Sequence, residues 1–418
     1  MTLCVPVPST EDLVKIANKQ DLLISPMDKY SNLPISKDIC LATYVWIDGS
    51  GEDIRSKYRT LDFLPIKPKD KFTYLMDKME ESIRKETYLS MTYSQQSKYM
   101  PPYYCPKNFE NFYRVECRLR ATTNKNTFDE NFQDLPILSF DGSTCGLAKP
   151  NNADMYLFPR AIYNDPFKRG NNILVMCDTY NYKLEPTRSN HRYKCAATYN
   201  KCKEQEPWFG MEQYFYLMNP TDLRPVGWPK GGYPQSSPLY YCGTGGDKIF
   251  GRELIDSHSR CCLYAGIPMW STNPEVVPSQ WQYRVGPSVG INAGDDAWMA
   301  RFILKILAEQ FGVSISFDPK PVAEWSTSAA GVNFSTLATR GENGISVIQK
   351  GIKKLAASHE RHIKVYDAHG IADRSCSIRI PRIVAENKCG FLEDRRPASN
   401  SDPYQVIDAL MRTVILNE

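Results

Sequence analysis

The sequence lacks a long apolar run and a strong excess of charge of either sign. No window holds the roughly 20 apolar residues of a membrane-spanning helix, and residues 1–8 lack the basic and apolar regions of a secretory signal. The formal net charge is only +4, and the basic residues form no stripe of the kind that binds nucleic acid. We therefore expect a cytoplasmic protein with neither membrane nor nucleic acid among its partners.

The cysteines lack the spacing of a metal site and of a disulfide framework. Their number, 13, is odd, and no pair has the separation typical of zinc ligands. They fall in apolar stretches such as residues 175–177 and 260–263. This distribution is typical of reduced, buried thiols.

What is present is the composition of a globular protein with a large core. Of the 418 residues, 42% are hydrophobic and 23% are charged. A chain of this length usually forms about two or three domains. Residues 42–48 alternate β-favouring side chains and lead into Asp-Gly-Ser-Gly, which predicts a strand followed by a hairpin turn.

A second strand is predicted at residues 208–214, Trp-Phe-Gly-Met-Glu-Gln-Tyr. Residues two apart in a strand face the same side, so Glu212 and Tyr214 are expected to project into one cavity. A glutamate at position 214 would complete a pair of carboxylates for Mg²⁺ or Mn²⁺. A neutral tyrosine is a poor replacement, because these hard ions prefer charged oxygen ligands.

Five motifs together resemble eukaryotic-type glutamine synthetase, with the closest likeness to the animal enzymes. They are Tyr-Val-Trp-Ile-Asp-Gly-Ser-Gly at 44–51, Phe-Asp-Gly-Ser-Thr at 140–144, Tyr-Tyr-Cys-Gly at 240–243, Phe-Asp-Pro-Lys-Pro at 317–321 and Glu-Asp-Arg-Arg-Pro-Ala-Ser-Asn at 393–400. The resemblance extends over residues 24–64 and 134–418. Motifs of this length in the same order are specific.

The resemblance implies an α+β fold, with an N-terminal β-grasp domain and a C-terminal antiparallel sheet that curves into a half-barrel covered by helices. We predict an N-terminal arm at 1–23, a β-grasp domain at 24–171 and a catalytic-type domain at 172–418. Helices are expected at 290–311 and 344–362. The family forms stacked pentameric rings, so a homo-oligomer is expected.

The β-grasp domain carries an insertion at about 65–133 relative to the family. Its length favours a folded arm over a structureless loop. Tyr99, Met100, Tyr103 and Tyr104 form an aromatic cluster of the kind found at protein interfaces. The insertion is therefore either a tolerated surface addition or an arm for assembly or partner binding.

The resemblance also implies two metal ions, each with three protein ligands. The family transfers the γ-phosphate of ATP to glutamate, and ammonia then displaces phosphate, with metal ions and arginines neutralising charge. The positions that correspond to ligands of the first metal are Tyr214, Glu275 and Gln282. Those of the second metal are Glu212, Gly331 and Glu393.

Three ligand positions have thus lost their ligand, because Tyr214 and Gln282 replace glutamates and Gly331 replaces a histidine. The substrate loop is altered at 325–328. The family's flap, which bears a glutamate and arginines, has no counterpart where residues 368–372 lead directly into Asp373. Lost carboxylates weaken binding of hard dications, so only weak Mg²⁺ or Mn²⁺ and ATP or ADP binding is expected, and no cofactor is required.

Several other family positions are retained. Asp141 corresponds to the ammonium side of the site, although an Asp before a glycine is equally typical of a turn. The arginines beside Glu393 and Asp394 either bind phosphate or form interior ion pairs. The positions that correspond to nucleotide and phosphate binding are Trp208, Arg374, Arg379, Arg395 and Arg396.

These substitutions predict a pseudoenzyme with a scaffolding or regulatory role in a ring assembly, including hetero-assembly with an active synthetase. Two alternatives stay open. One is an active or weakly active ATP-dependent glutamate–ammonia ligase. The other is a nucleotide or glutamate sensor that uses the remaining carboxylates and arginines without turnover.

Overall fold

The computed structural model describes residues 36–65, 135–235, 239–322, 328–366 and 377–418. Within these ranges the chain forms two β-sheets and the helices that pack on them. Some of the predicted features lie outside the described residues: the N-terminal arm, the insertion from residue 66 to 133 with its tyrosine cluster, residues 325–327 of the substrate loop, and the segment 368–374 with Arg374.

The first sheet has five strands in the order β2-β1-β5-β4-β3. β1 and β2 form the predicted hairpin, in which Ser50 donates its backbone N–H and its hydroxyl to Asp48 Oδ1 at 2.9 and 2.6 Å. Arg55 adds an ion pair of 3.0 Å to Asp48. The strands are β1 Cys40–Ile47, β2 Ile54–Leu61, β3 Leu138–Asp141, β4 Asp154–Asn164 and β5 Ile173–Tyr180.

β5 corrects the predicted domain boundary. It lies in the middle of the first sheet, parallel to β1 and antiparallel to β4. A boundary at residue 172 therefore falls one strand too early. The physical reason is that every residue of β5 is buried, and a continuously buried strand has no alternation that would tell which sheet it joins.

The second sheet is antiparallel and curls into a half-barrel. Its strand order is β11-β12-β10-β6-β8-β7, and β9 pairs with the end of β6. This arrangement confirms the predicted α+β fold. The strands are β6 Trp208–Met218, β7 Met269–Pro274, β8 Gln280–Val289, β9 Ser314–Ser316, β10 Ala330–Ser335, β11 Ile378–Arg379 and β12 Leu392–Asp394.

The helices cover the inner face of the second sheet. The predicted helix at 290–311 is α3. The predicted helix at 344–362 is divided at Ser358 into α5 and α6. The backbone N–H of Ser358 donates to the carbonyl oxygen of Lys354 and ends α5. None of the described helices is both long and apolar enough to cross a membrane. The helices are α1 His191–Cys202, α2 Arg252–Ala265, α3 Asn292–Gln310, α4 Leu337–Arg340, α5 Gly344–Ala357, α6 His359–Tyr366, α7 Arg382–Asn387 and α8 Pro403–Leu410.

α3 ties the two sheets together through buried polar contacts. Asp296 accepts hydrogen bonds from Tyr163 of β4 at 3.0 Å and from Ser288 of β8 at 2.7 Å. Asp295, one residue earlier, pairs with Arg192 of α1 at 2.7 Å. Buried charges are stable only when paired and hydrogen-bonded. This network fixes the back of the second sheet, whose opposite face carries the candidate site.

The described cysteines agree with the expectation of reduced thiols. In the described part of the chain, nine cysteines form no disulfide, and six of these are buried. Burial raises the pKa of the Cys202 thiol to about 11, so this thiol stays protonated at neutral pH.

Candidate active-site cleft

One face of the second sheet gathers the residues that the sequence singles out. Side chains directly opposite each other on neighbouring strands share a face, as do residues two apart on one strand. Glu212 lies opposite both Arg284 and Gly331, Tyr214 lies opposite Gln282, and Glu393 lies opposite Arg379 and Asn333.

Six of these eight residues line a cavity of about 120 Å³, whereas Gln282 and Asn333 do not. Glu212 and Tyr214 both line it, as the strand periodicity predicts. Glu275 does not line it. Its side chain is buried elsewhere and accepts a hydrogen bond of 2.8 Å from Asn273. The lining residues are Glu212, Tyr214, Arg284, Ala329, Ala330, Gly331, Arg379, Glu393 and Arg395.

Glu212 is held by groups of the protein on both carboxylate oxygens. Gln282 donates its side-chain amide to Oε2 at 2.8 Å, and Arg284 Nε lies 3.2 Å from Oε1. Asn333 adds a longer hydrogen bond of 3.5 Å to Oε1. Burial raises the pKa of Glu212, Arg284 opposes this shift, and the neighbouring Glu393 adds to it.

Glu393 is held in the same way by two arginines. Arg379 Nε donates to Oε2 at 2.6 Å, and Arg395 Nε lies 3.6 Å from Oε1. The carboxylate is buried, whereas the side chains of Arg379 and Arg395 are 53% and 26% exposed. Both cleft carboxylates are therefore paired with guanidinium groups that face the cavity.

The donors present do not fit a pair of Mg²⁺ or Mn²⁺ ions. In the described residues, no three His, Cys, Asp or Glu side chains converge as a metal-binding group. A side chain at position 331 would place its Cβ 3.0 Å from Oε2 of Glu212, so this carboxylate fills the space beside Gly331. Hard dications require several oxygen ligands, and the cleft instead offers carboxylates already bound to protein donors.

Comparisons with known proteins identify the family. A profile of the glutamine synthetase catalytic domain matches residues 191–363. The chain is 41% identical to glutamine synthetase 2, cytoplasmic, of Drosophila melanogaster, over 94% of this chain and 95% of that protein. It is 40% identical to glutamine synthetase of Panulirus argus, over 94% and 97%, and 37% identical to that of Homo sapiens, over 93% of each. The chain belongs to the glutamine synthetase family.

A solved structure extends the likeness to the fold. The structure titled "GmaS/ADP complex-Conformation 1" is 17% identical and matches with a TM-score of 0.54, covering 66% of this chain and 70% of that chain. At this identity the match supports the fold and nothing finer. The resemblance drawn from the motifs is thus confirmed at the level of family and fold.

Within this glutamine synthetase fold, Asp141 lies away from the cavity. It ends β3 in the first sheet and is exposed. Its Oδ1 accepts hydrogen bonds from the Ser143 backbone at 2.8 Å and from the Ser143 hydroxyl at 2.6 Å. These bonds hold the pKa of Asp141 below its usual range. The geometry is that of an Asp turn.

Trp208 and Arg396 do not line the cavity either. Trp208 begins β6 and lies under Arg340, whose guanidinium carbon is 4.1 Å from the ring centroid. Arg396 is buried and pairs with Asp394 at 2.6 Å, and it also lies 3.2 Å from Nδ1 of His362. Arg396 therefore forms an interior ion pair, whereas its neighbour Arg395 faces the cleft.

Arg284 is the cleft residue that the sequence analysis missed. The signal was available, because Arg284 follows Gln282 by two positions and must share its face of the strand. Asn333 was missed for a similar reason, since it follows Gly331 by two positions on β10. Strand periodicity applied beyond the expected ligand positions finds both residues.

Proposed function

We propose that this chain is a glutamine synthetase homologue that makes no glutamine and serves as a structural or regulatory subunit of an oligomeric assembly. The observation that supports this most is the pairing of the two cleft carboxylates. The oxygens of Glu212 and Glu393 contact an amide or guanidinium group of the chain itself. A divalent ion would have to displace these groups to bind.

The chemistry of phosphoryl transfer explains why this matters. Metal ions bridge and neutralise the phosphate oxygens, and the protein mainly positions the reactants. Arginine supplies positive charge but not the octahedral coordination that Mg²⁺ provides. The sequence also lacks the family's flap before Asp373 and its histidine at Gly331. Restoring single ligands is therefore not expected to restore synthesis.

The test is the formation of γ-glutamyl hydroxamate from glutamate, ATP, Mg²⁺ and hydroxylamine. We expect no product above the enzyme-free blank, both for this chain and for the variant Tyr214→Glu/Gln282→Glu/Gly331→His. ATP-dependent product formation by this chain that is abolished in Glu393→Ala would overturn the proposal.

The second candidate is an active glutamate–ammonia ligase, and the comparisons favour it more directly than they favour an inactive subunit. The three relatives described above all carry the name glutamine synthetase and align with 93–94% of the chain. Activity would require water or main-chain oxygens in place of the missing ligands. The hydroxamate assay separates the two candidates, because only the ligase forms product.

The assembly and the cytoplasmic location belong to the same proposal. Stacked pentameric rings are what the family resemblance implies, and mixed rings with an active synthetase are our own addition to this proposal. One relative is named cytoplasmic, which supports that location, although another from the same organism is named mitochondrial. Native mass spectrometry of the purified chain, with and without an active synthetase, measures both kinds of assembly.

A further inference from the structure

β2 forms an outer edge of the first sheet. The strand order places it at one end, and β1 is its neighbour among the described strands. All six residues between Ile54 and Leu61 are exposed, whereas β1 beside it is almost entirely buried. An edge strand presents unpaired backbone N–H and C=O groups, which can pair with a further strand.

The geometry of β2 suits pairing with an added strand. It runs for eight residues in unbroken register with β1, from Ile54 opposite Ile47 to Leu61 opposite Cys40. Proteins usually protect an exposed edge with a short strand, a proline, a β-bulge or charged side chains. The sequence of β2, Ile-Arg-Ser-Lys-Tyr-Arg-Thr-Leu, contains no proline, and its pairing with β1 shows no bulge. Charge is therefore the protection that β2 uses.

Three basic residues form a row along one face of β2. Arg55, Lys57 and Arg59 are two positions apart, so they project to the same side of the sheet, and all three are exposed. Arg55 pairs with Asp48 in the hairpin turn. Lys57 and Arg59 form no ion pair with the described residues. This basic row repels a basic strand and attracts acidic side chains.

The opposite face of β2 offers an aromatic contact. Tyr58 is 61% exposed, and its neighbours on that face, Ser56 and Thr60, are small. The Lys168 ammonium lies 5.6 Å from the centre of the Tyr58 ring and donates to the Thr43 hydroxyl at 2.8 Å. Cross-strand pairs of an aromatic with an aromatic or β-branched side chain stabilise a sheet. An added strand therefore gains most with such a residue opposite Tyr58.

We propose that the outer edge of β2 binds an extended acidic segment of a partner protein, which joins the first sheet as a further strand. Its acidic side chains alternate with aromatic or β-branched ones, because successive residues of the added strand face the basic row and Tyr58 in turn. A second copy of this chain does not fit, since antiparallel pairing of two β2 strands places one basic row beside the other.

The site goes beyond the proposed function, because it lies on the first sheet and the cleft lies on the second. Fluorescence anisotropy of the full chain with labelled peptides tests it. The acidic probe is Glu-Val-Glu-Tyr-Glu-Val-Glu, and the basic probe has lysine in place of every glutamate. We expect saturable binding of the acidic probe with a Kd below about 1 mM, weakened by salt because exposed charges are screened. Absence of saturation at about 1 mM acidic probe would overturn the inference.

Charge reversal distinguishes β2 from other basic parts of the surface. Lys57→Glu/Arg59→Glu should bind the acidic probe at least about tenfold more weakly and should bind the basic probe instead, because attraction and repulsion are exchanged. Lys350→Glu/Lys353→Glu is the matched control, since both lysines are exposed on α5 and the net charge changes equally. Its affinity for the acidic probe should equal that of the unmodified chain. Equal affinity in Lys57→Glu/Arg59→Glu and the unmodified chain contradicts the site, provided that circular dichroism shows a folded variant.

Backbone methylation of the acidic probe distinguishes strand addition from simple attraction between charges. Two forms carry N-methyl groups on one or the other set of alternate residues, and only one set directs its N–H groups toward β2. That form should bind at least about tenfold more weakly, because its backbone hydrogen bonds to the edge are lost. The measurement uses the unmodified chain, so it does not depend on the folding of a variant. Equal affinity of both forms and the unmethylated probe would exclude strand addition.

A single-stranded oligothymidylate is the competing probe, because basic residues also attract phosphates. A phosphate backbone has no N–H donors for the carbonyl oxygens of an edge strand. We therefore expect weaker binding of the oligonucleotide than of the acidic peptide. Tighter binding of the oligonucleotide would overturn the inference. The hydroxamate assay reports on the cleft alone, so either result there leaves the β2 site to be decided by the peptides.

Discussion

Glu393 and Asp394 are neighbours on β12 that face opposite sides of the same sheet. Asp394 points inward and pairs at 2.6 Å with Arg396, and neither side chain is more than 2% exposed. Glu393 points into the cleft and pairs at the same distance with Arg379, which is 53% exposed. The inner pair has only protein around it, whereas the outer pair borders the cavity.

β6, two strands away from β12 in the same sheet, shows the same contrast. Gln213 faces inward, where it accepts a hydrogen bond of 2.8 Å from Arg301 and donates to Ser399 at 2.7 Å. Its neighbour Glu212 faces the cleft and pairs with Arg284. The ligand substitutions Tyr214, Gln282 and Gly331 also belong to the cleft face. Changes on that face can therefore accumulate while the inner face maintains the fold.

The largest expected effect compares the two ion pairs. Arg396→Ala should lower the free energy of unfolding by about 3–5 kcal/mol, because it leaves Asp394 buried without its charged partner. Arg379→Ala should cost at most about 1 kcal/mol, because its pair is solvent-exposed on one side. Urea unfolding at one fixed protein concentration measures both. Equal losses of unfolding free energy in the two variants would show that the ion pairs on the two faces do not differ in their contribution to the fold.

A second prediction uses a buried histidine on the inner side. His258 of α2 lies 3.0 Å from the Ala300 carbonyl oxygen, and burial lowers its pKa to about 4. In the unfolded chain the same histidine has a pKa near 6.5, so between about pH 4 and 6.5 the unfolded state binds more protons than the folded state. The stability of the fold therefore falls as the pH falls from about 6.5 toward 4. His258 should contribute about 2 kcal/mol of this loss between pH 7 and pH 5.

The variant His258→Gln should reduce that acid-dependent loss, measured by urea unfolding at both pH values. His359→Gln is the control, because His359 is exposed and its replacement should leave the pH dependence unchanged. An identical pH dependence in His258→Gln and the unmodified chain would show that His258 does not cause the loss of stability at acidic pH.

The smallest expected effect is at Glu212. Burial raises the pKa of this carboxyl in the folded state. Glu212 therefore stabilises the fold at a pH below the pKa it has in the unfolded chain, and this stabilisation is lost as the pH rises through the pKa of the folded state. Glu212→Gln should therefore change stability at pH 8 by less than about 1 kcal/mol, or increase it slightly. A loss as large as that of Arg396→Ala would mean that the cleft pair also supports the fold.

The sequence predicts the family, the α+β fold and the strand that carries Glu212, because long ordered motifs and two-residue alternation are strong signals. It does not predict which sheet β5 joins, since a wholly buried strand has no polar face. It also does not separate Arg395, in the cleft, from Arg396, in the core. Both residues follow the end of β12 at Asp394, where the alternation of a strand is no longer guaranteed, so their directions come only from the folded chain.

The central claim is that protein donors have replaced metal ions in the cleft, and titration with Mn²⁺ followed by electron paramagnetic resonance tests it most directly. We predict no saturable site tighter than about 1 mM at neutral pH, because the remaining carboxylates are few and paired. The variant Glu393→Gln should then titrate like the unmodified chain. A stoichiometric Mn²⁺ site that is tighter than this and disappears in Glu393→Gln would contradict the claim.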